Sequence, residues 1–489
     1  SSTLQRMELL KTGYMGTLSL GWDNYLFLEL TGRQERSSTL KDQSFFYPSA
    51  NLSFLFSNAF RMPAWWNHGK LRLSYGVVGN APETYAANII YEQGSDNGFT
   101  WNYVPSSWGN ANIRPEKKYE YEIGFESKFL NNRLGFDVSY YNNRVKDQIL
   151  STPQPSTSGV KYVLMNVGEV ANEGWDISVS ATPVLTKNFR WDLTANYGIY
   201  RNKVVKLADG VPYLEISNIG GGGAKIQAVE GRPMGDIYVQ VPQMNENGEY
   251  LVSDKGLYMN QTELQRVGNI NPDGVGGLFS SFSYKNIFLD FSIDFRIGGD
   301  VINEMYQYST ASGLTPESLQ FRDTEHGGLS YYYPGNNNAS GVPVQVDPSL
   351  GAGPNGETVY HDGVILPGVV ASTGEKNTRI IPAGYYYNQT YNWGTQPEQL
   401  TYRHSVFDNS YVKLRELTIG YQFPEKLISK LGMTRLSVSV FGRNLFYFYK
   451  ALKNYDAESS VGTSWASQAV VGGSTTATRN FGVSLRASF

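Results

Sequence analysis

The chain has 489 residues, with 41 basic and 44 acidic side chains, a net charge of -3 and only 17% charged residues. That balance leaves no electrostatic footprint for nucleic acid. The absence of cysteine excludes a disulfide scaffold and thiol-ligated metal. No stretch of about eighteen apolar residues is available for a transmembrane helix, so a membrane role would require a closed β-barrel, the other structure that satisfies backbone polar groups in hydrocarbon.

The N-terminus, Ser1-Ser2-Thr3-Leu4, shows no Met, basic region or apolar leader. An exported barrel needs a signal peptide. Either one was removed before Ser1, or the chain is the C-terminal piece of something longer; the topology below favours the second. The first expected pair of strands is Gly13–Leu20 and Tyr25–Gln34, around the turn Trp22-Asp23-Asn24. A Ser- and Lys-containing loop leads to Tyr47–Ser57. A compact turn through Met62-Pro63-Ala64-Trp65-Trp66 leads to Lys70–Val78. The long segment 79–117 carries Trp101, Tyr103 and Trp108.

The clearest hairpin follows. Tyr119, Tyr121, Ile123, Phe125, Ser127 and Phe129 alternate with Glu120, Glu122, Gly124, Glu126 and Lys128. After Asn131-Asn132, Leu134, Phe136, Val138 and Tyr140 alternate with Arg133, Gly135, Asp137, Ser139 and Tyr141. Asn tolerates the positive φ of a tight turn. A third hairpin spans about 174–201, with rows Trp175, Ile177, Val179 and Trp191, Leu193, Ala195, Tyr197. A long excursion over about 202–272 holds Gly220–Gly223, read as a flexible loop. The next hairpin ends on Leu289, Phe291, Ile293, Phe295 and Ile297. A longer loop runs to about Phe407, then come Val412–Gln422, Arg435–Tyr449 and a loop to about Ala477. The closing strand alternates Phe481, Val483, Leu485, Ala487 and Phe489 with Asn480, Gly482, Ser484, Arg486 and Ser488.

This reading expects about thirteen strands. With short turns in the periplasm and long loops outside, Phe489 falls on the periplasmic side and Ser1 outside. Complete bacterial barrels have even strand numbers and both ends in the periplasm, so strands are expected upstream. One face is polar and the other apolar. Tyr119, Tyr140, Trp175 and Trp191 are expected at strand ends, where a membrane-interface girdle would sit. A soluble β-sandwich also alternates, but its strands run to about five or six residues and it rarely carries loops this long. The fold class read here is all-β, a transmembrane antiparallel β-barrel with long extracellular loops.

Several stretches resemble SusC/RagA-type TonB-dependent transporters: Asn112-Ile113-Arg114-Pro115-Glu116-Lys117; Tyr121-Glu122-Ile123-Gly124-Phe125-Glu126; Asn132-Arg133-Leu134-Gly135-Phe136-Asp137-Val138-Ser139-Tyr140-Tyr141-Asn142; Asn166-Val167-Gly168-Glu169 with Asn172-Glu173-Gly174-Trp175; and Glu230-Gly231-Arg232-Pro233-Met234-Gly235. Asp408-Asn409-Ser410-Tyr411-Val412-Lys413-Leu414-Arg415-Glu416-Leu417 and Phe441-Gly442-Arg443-Asn444-Leu445 are similar to that family's closing strands. The resemblance implies a barrel of twenty-two strands around an N-terminal plug, a SusD-like surface lipoprotein as lid, and energy from the TonB complex. It implies import of oligosaccharides or oligopeptides across the outer membrane of a Gram-negative bacterium, and leaves open a dimer of transporter–lid pairs. Residues 1–489 would then be the C-terminal portion of the barrel domain, without signal, TonB-contacting segment or plug.

Catalytic patterns are thin. His68, His326, His361 and His404 form no H-E-x-x-H, and no G-x-S-x-G occurs. Asp323, Glu325 and His326 read as a solvated loop tip. Glu120, Glu122 and Glu126 read as a polar lumen rather than paired catalytic carboxylates. No cofactor, metal or enzymatic activity is expected. Candidates for substrate or lid contact are the loop aromatics Trp101, Tyr103, Trp108, Tyr306, Tyr308, Tyr331, Tyr332, Tyr386 and Trp393, with Tyr333, Tyr385, Tyr387 and Tyr391 in the same segments. Rings with a polar tip suit sugars, peptides and protein interfaces; the bland alternative is that they pack the loops together. Phe481 and Phe489 are expected to serve as the barrel-assembly signal. The rival reading of the whole chain is a surface adhesin or glycan-binding β-protein without transport.

Overall fold

The structure, a computed structural model, describes residues 7–40, 44–88, 91–96, 98–392, 398, 401–473 and 476–489. Thirteen strands form one antiparallel sheet in which each pairs with its neighbours in the sequence. They are Lys11–Trp22, Leu26–Ser37, Ser44–Phe54, Trp66–Asn80, Glu116–Phe129, Leu134–Lys146, Glu169–Leu185, Phe189–Lys206, Gly274–Tyr284, Ile287–Ile297, Tyr411–Gln422, Arg435–Lys450 and Asn480–Ser488. The expected number and order hold, and many of the strands run further at the long-loop end than alternation indicated. Left-handed residues close the short turns: Asp23 and Asn24, then Leu130, Asn131 and Asn132.

Pairing register explains the two faces. Leu20, Leu28, Leu52, Leu73, Ile123, Tyr140 and Trp175 stand opposite one another across seven successive strands. This row is uncovered, with Leu73 47% and Ile123 50% exposed. An apolar row this continuous matches a hydrocarbon surround rather than water. The other face carries Asp137, Ser178, Asn196, Gly277 and Asp294 in one row. A hollow of about 660 Å³ lies over that row, lined also by Asp176, Arg296 and Tyr411.

Aromatic residues mark two levels on the apolar face. Tyr140 packs on Trp175, ring centroids 5.0 Å apart. Both lie well inside their strands rather than at the ends, contrary to expectation, because the strands continue past the apolar band as a polar rim. Trp191 pairs with Val184, nine residues beyond Trp175 on the neighbouring strand. At ~3.3 Å per residue and a tilt of ~40°, those nine residues climb roughly 23 Å, close to the ~25 Å apolar band of an outer-membrane barrel. At the short-turn level two indole N–H groups are satisfied within the sheet. Trp191 Nε1 donates to Ser280 Oγ at 2.9 Å, and Trp66 Nε1 donates to Ser127 Oγ. Both serines are buried. A bonded indole is what a water-free layer demands.

Three of the long connections between consecutive wall strands (207–273, 298–410 and 451–479) fold together. The first forms a four-stranded sheet of Tyr213–Ile219, Ala224–Val229, Asp236–Val239 and Gln265–Asn269. The second adds a sheet of Leu329–Tyr332, Val344–Gln345, Val359–Val364 and Ile381–Pro382, and helices Glu304–Ala311 and Ala383–Tyr391. One hydrophobic core draws on all three: Ile219, Ala224, Ile226, Ile237, Val239 and Ile270 from the first, Ile302 and Tyr402 from the second, Ala466, Ala469 and Val470 from the third. Residues 220–223 are not a flexible loop. They close the hairpin between the first two strands, and the left-handed Gly220 lies against the Tyr402 hydroxyl, where a Cβ would collide.

Candidate binding surface at the mouth of the sheet

The cap is fastened to the wall at identifiable places. At the end of strand Phe189–Lys206, Val204 and the segment 230–235 exchange backbone bonds: Gly231 N donates to Val204 O (2.8 Å) and Val204 N to Arg232 O (2.9 Å). Asn202 Oδ1 accepts from Met234 N at 2.7 Å. Asp236, fully buried, pairs with Arg232 and with Arg266, the latter at 2.9 Å, and accepts from Asn269 Nδ2 at 2.9 Å. Two guanidinium groups and an amide donor compensate that buried charge. The Glu-Gly-Arg-Pro-Met-Gly stretch is therefore a latch between loop and wall.

A second fastening holds connection 451–479. Lys413, only 2% exposed, pairs with Glu458. Arg415 bridges Asp294 (Nε to Oδ1, 3.0 Å), Asn444 (3.1 Å) and Glu458 (2.9 Å). Burial works to raise the Glu458 carboxyl, but hydrogen bonds from Arg415 and Lys413 outweigh it and hold the group below the usual carboxylate range. Tyr447 donates to Asp456 at 2.6 Å in the same loop.

The loop aromatics divide into packed and presented groups. Tyr331 is buried, stacked on Tyr360 at 5.5 Å and edge-on to Tyr333 at 5.6 Å. Tyr306 meets Tyr391, Phe407 and Tyr455 edge-on. Tyr386 packs on Tyr387 at 5.0 Å, and Tyr387 and Tyr391 are buried. Burial pushes the hydroxyls of Tyr331 and Tyr391 well above the usual range, so both stay protonated. For these residues packing is the role the geometry shows. Tyr332 is half-covered, with Gly353 against its ring.

Presented to the outside are Tyr308, 41% exposed, and the hairpin Glu92–Asp96/Phe99–Tyr103, with Phe99, Trp101 and Tyr103 exposed. Trp101 pairs with Gly94, and a Cβ there would stand 2.7 Å from the indole; glycine lets the ring lie flat across the hairpin. Trp101 and Trp108 do not form a pair on one surface. Trp108 belongs to a separate small sheet, beside Val163, and is half-covered. Trp393 lies outside the described residues. Phe481 and Phe489 are both exposed, one at the long-loop end of the closing strand and one just past its short-turn end. Asp323 accepts from His326 N at 2.8 Å and meets His326 Nδ1 at 2.7 Å in an exposed turn, as a solvated tip would.

A family model described as "TonB dependent receptor-like, beta-barrel" matches residues 10–237. Over those residues the chain is similar to the β-barrel of TonB-dependent receptors. It is similar to TonB-dependent receptor P3 of Formosa agariphila, 22% identical over 494 residues, covering 92% of this chain and 42% of that protein. It is similar to TonB-dependent receptor SusC of Bacteroides thetaiotaomicron, 27% identical over 256 residues, 46% of this chain and 24% of SusC. Among solved structures, the RagAB peptide transporter superposes with a TM-score of 0.69 at 18% identity, covering 98% of this chain and 48% of that one. The chain thus spans less than half the length of these relatives. The fastenings described above hold the thirteen-stranded wall to its long connections.

The latch was visible in the sequence only as a resemblance. Asp236, Arg266, Lys413 and Glu458 were missed as a group, because the charges that pair come from segments up to forty-five residues apart. A buried Lys413 in a strand with alternating faces was the available signal.

Proposed function

We propose that the full-length protein is an outer-membrane, TonB-dependent importer of large nutrients, oligosaccharides or oligopeptides, in a Gram-negative bacterium. This chain supplies barrel wall and outer loops. The observation that carries the reading is the joint arrangement of a lipid-suited row across the wall, a polar hollow behind it, and a folded cap over one end only. A SusD-like surface lipoprotein is the proposed lid, with the exposed hairpin around Trp101 and Tyr103, together with Tyr308, as contact candidates for lid or substrate. Coupling to TonB is assigned to polypeptide beyond residues 1–489, and closure of the barrel to strands pairing with Lys11–Trp22 and Asn480–Ser488, each bonded to one neighbour in the sheet described. Phe481 and Phe489 are proposed as the assembly signal of the closing strand.

The test is uptake of labelled oligosaccharide and oligopeptide pools by cells with and without the full-length gene, alongside membrane fractionation. Import lost with the gene, and lost again when TonB is removed, is the expected result. Retained import combined with loss of surface attachment would favour the adhesin reading.

A further inference from the structure

Inside the cap, four polar side chains on two segments that pack on each other have atoms without hydrogen-bond partners among the described residues. Asn303 caps helix Glu304–Ala311: its Oδ1 accepts from Tyr306 N at 2.9 Å, which leaves Nδ2 turned inward and unpaired. Gln307 stands one turn along on the same helix face, with both amide atoms unpaired. Across from them lies the turn Tyr402–Ser405, where Ser405 Oγ and His404 Nε2 are unpaired too. Asn303, Gln307 and Ser405 have no exposed surface. The ladder Asp300–Asn303/Val406–Asp408 pairs Ile302 with Val406, which sets Asn303 beside Ser405 at its end.

Buried polar groups in folded proteins find partners, in protein or in ordered water. The unpaired amide and hydroxyl groups are neutral and mix donors with acceptors, a set that suits water, while the neighbouring Glu304 carboxylate meets the Tyr402 hydroxyl. Full burial leaves no room for a larger solute. We infer that ordered water fills this seam and bridges Asn303 Nδ2, the Gln307 amide and Ser405 Oγ. A buried water forming about three hydrogen bonds fits such a set. The seam joins the segment on which connection 298–410 leaves the wall to the segment on which it returns. A water-bridged joint shifts by exchanging water, whereas the latch at Asp236 must break direct ion pairs to move. The seam stands on the side-chain geometry and does not depend on what the protein transports.

Two measurements on the full-length protein in detergent test it. A high-resolution map should show density within hydrogen-bond reach of both Gln307 and Ser405. In a double-mutant cycle, Gln307→Met and Ser405→Ala should each lower the melting temperature, and the double variant should fall no further than the worse single, because both remove the same bridge. An empty seam in the wild-type map, or losses that simply add, overturns the inference.

Discussion

In the wall, Ile123 leaves half of its surface uncovered, and in the cap Ile226 and Ile237 leave none. The residue type is the same and both regions are β-sheet. What differs is the medium each is built against. The cap buries its apolar side chains against one another, as any domain in water must. The wall presents them outward in register, and its polar rows line a hollow. Burial alone would rank the wall as badly folded; burial together with register identifies a surface that expects lipid. Substituting the same residue type in the two regions therefore separates two kinds of stability.

The largest effect is expected in the cap core. Ile237→Asp places a carboxylate with no cation in the centre of the cluster formed by three loops, at a cost of about 4 kcal/mol or more. Limited proteolysis of the full-length protein should then cut within residues 207–273 while the strands stay protected. An unchanged cleavage pattern would mean that the three loops do not share a core. Next comes the wall. Ile123→Lys should cost ~2–4 kcal/mol if the row lies near the middle of a bilayer, against about 0.5 kcal/mol for an exposed position in water. Folding yield into lipid bilayers measures it, and a neutral result would undo the distinction between the two regions.

The same contrast explains what could be read from the chain. All thirteen wall strands were legible, because each crosses two media and must alternate. Their outer ends were not: Glu169–Glu173, for instance, lies beyond the row of Trp175, and its sequence Glu-Val-Ala-Asn-Glu carries no run of apolar residues at every second position. The cap was read as loop. Its strands, such as Ala224–Val229, are short, and their partners are distant; Ile226 packs in one cluster with Ile302 and Val470. No local pattern encodes a core assembled from segments so far apart. Among the aromatic loop residues, composition could not separate Tyr331, which is buried, from Trp101, which is presented.

A smaller effect, confined to the cap, should follow pH. Burial, with the Arg403 charge beside it, holds the His404 imidazole below its ordinary value of 6.5. The unfolded chain then binds a proton at higher pH than the folded one. Cap stability should be flat above that value and decline as pH falls through it, by at most about 1.4 kcal/mol per unit. His404→Gln should flatten the cap's proteolysis midpoint between mildly acidic and neutral pH. A slope that persists in the variant would assign the dependence to other groups.

The smallest effect on stability is expected where the largest effect on binding is. Trp101 is 48% exposed and lies across Gly94 on a hairpin that pairs only with itself. Its removal uncovers no core, so Trp101→Ala should leave both cap proteolysis and barrel folding within about 0.5 kcal/mol of the parent. An exposed indole on a flat glycine bed has the form of an interface anchor, and such aromatics carry a disproportionate share of binding energy. Titration of the full-length protein with the proposed SusD-like surface lipoprotein should therefore show affinity reduced about tenfold or more, equivalent to ~1.4 kcal/mol. Tyr332, half-covered within the cap, serves as the control: Tyr332→Phe keeps the ring and should leave that affinity unchanged. Equal affinity in Trp101→Ala and its parent would take the hairpin out of the lid interface, and the aromatic face would then have to be explained by substrate contact, which repeating the titration with oligosaccharide and oligopeptide pools decides.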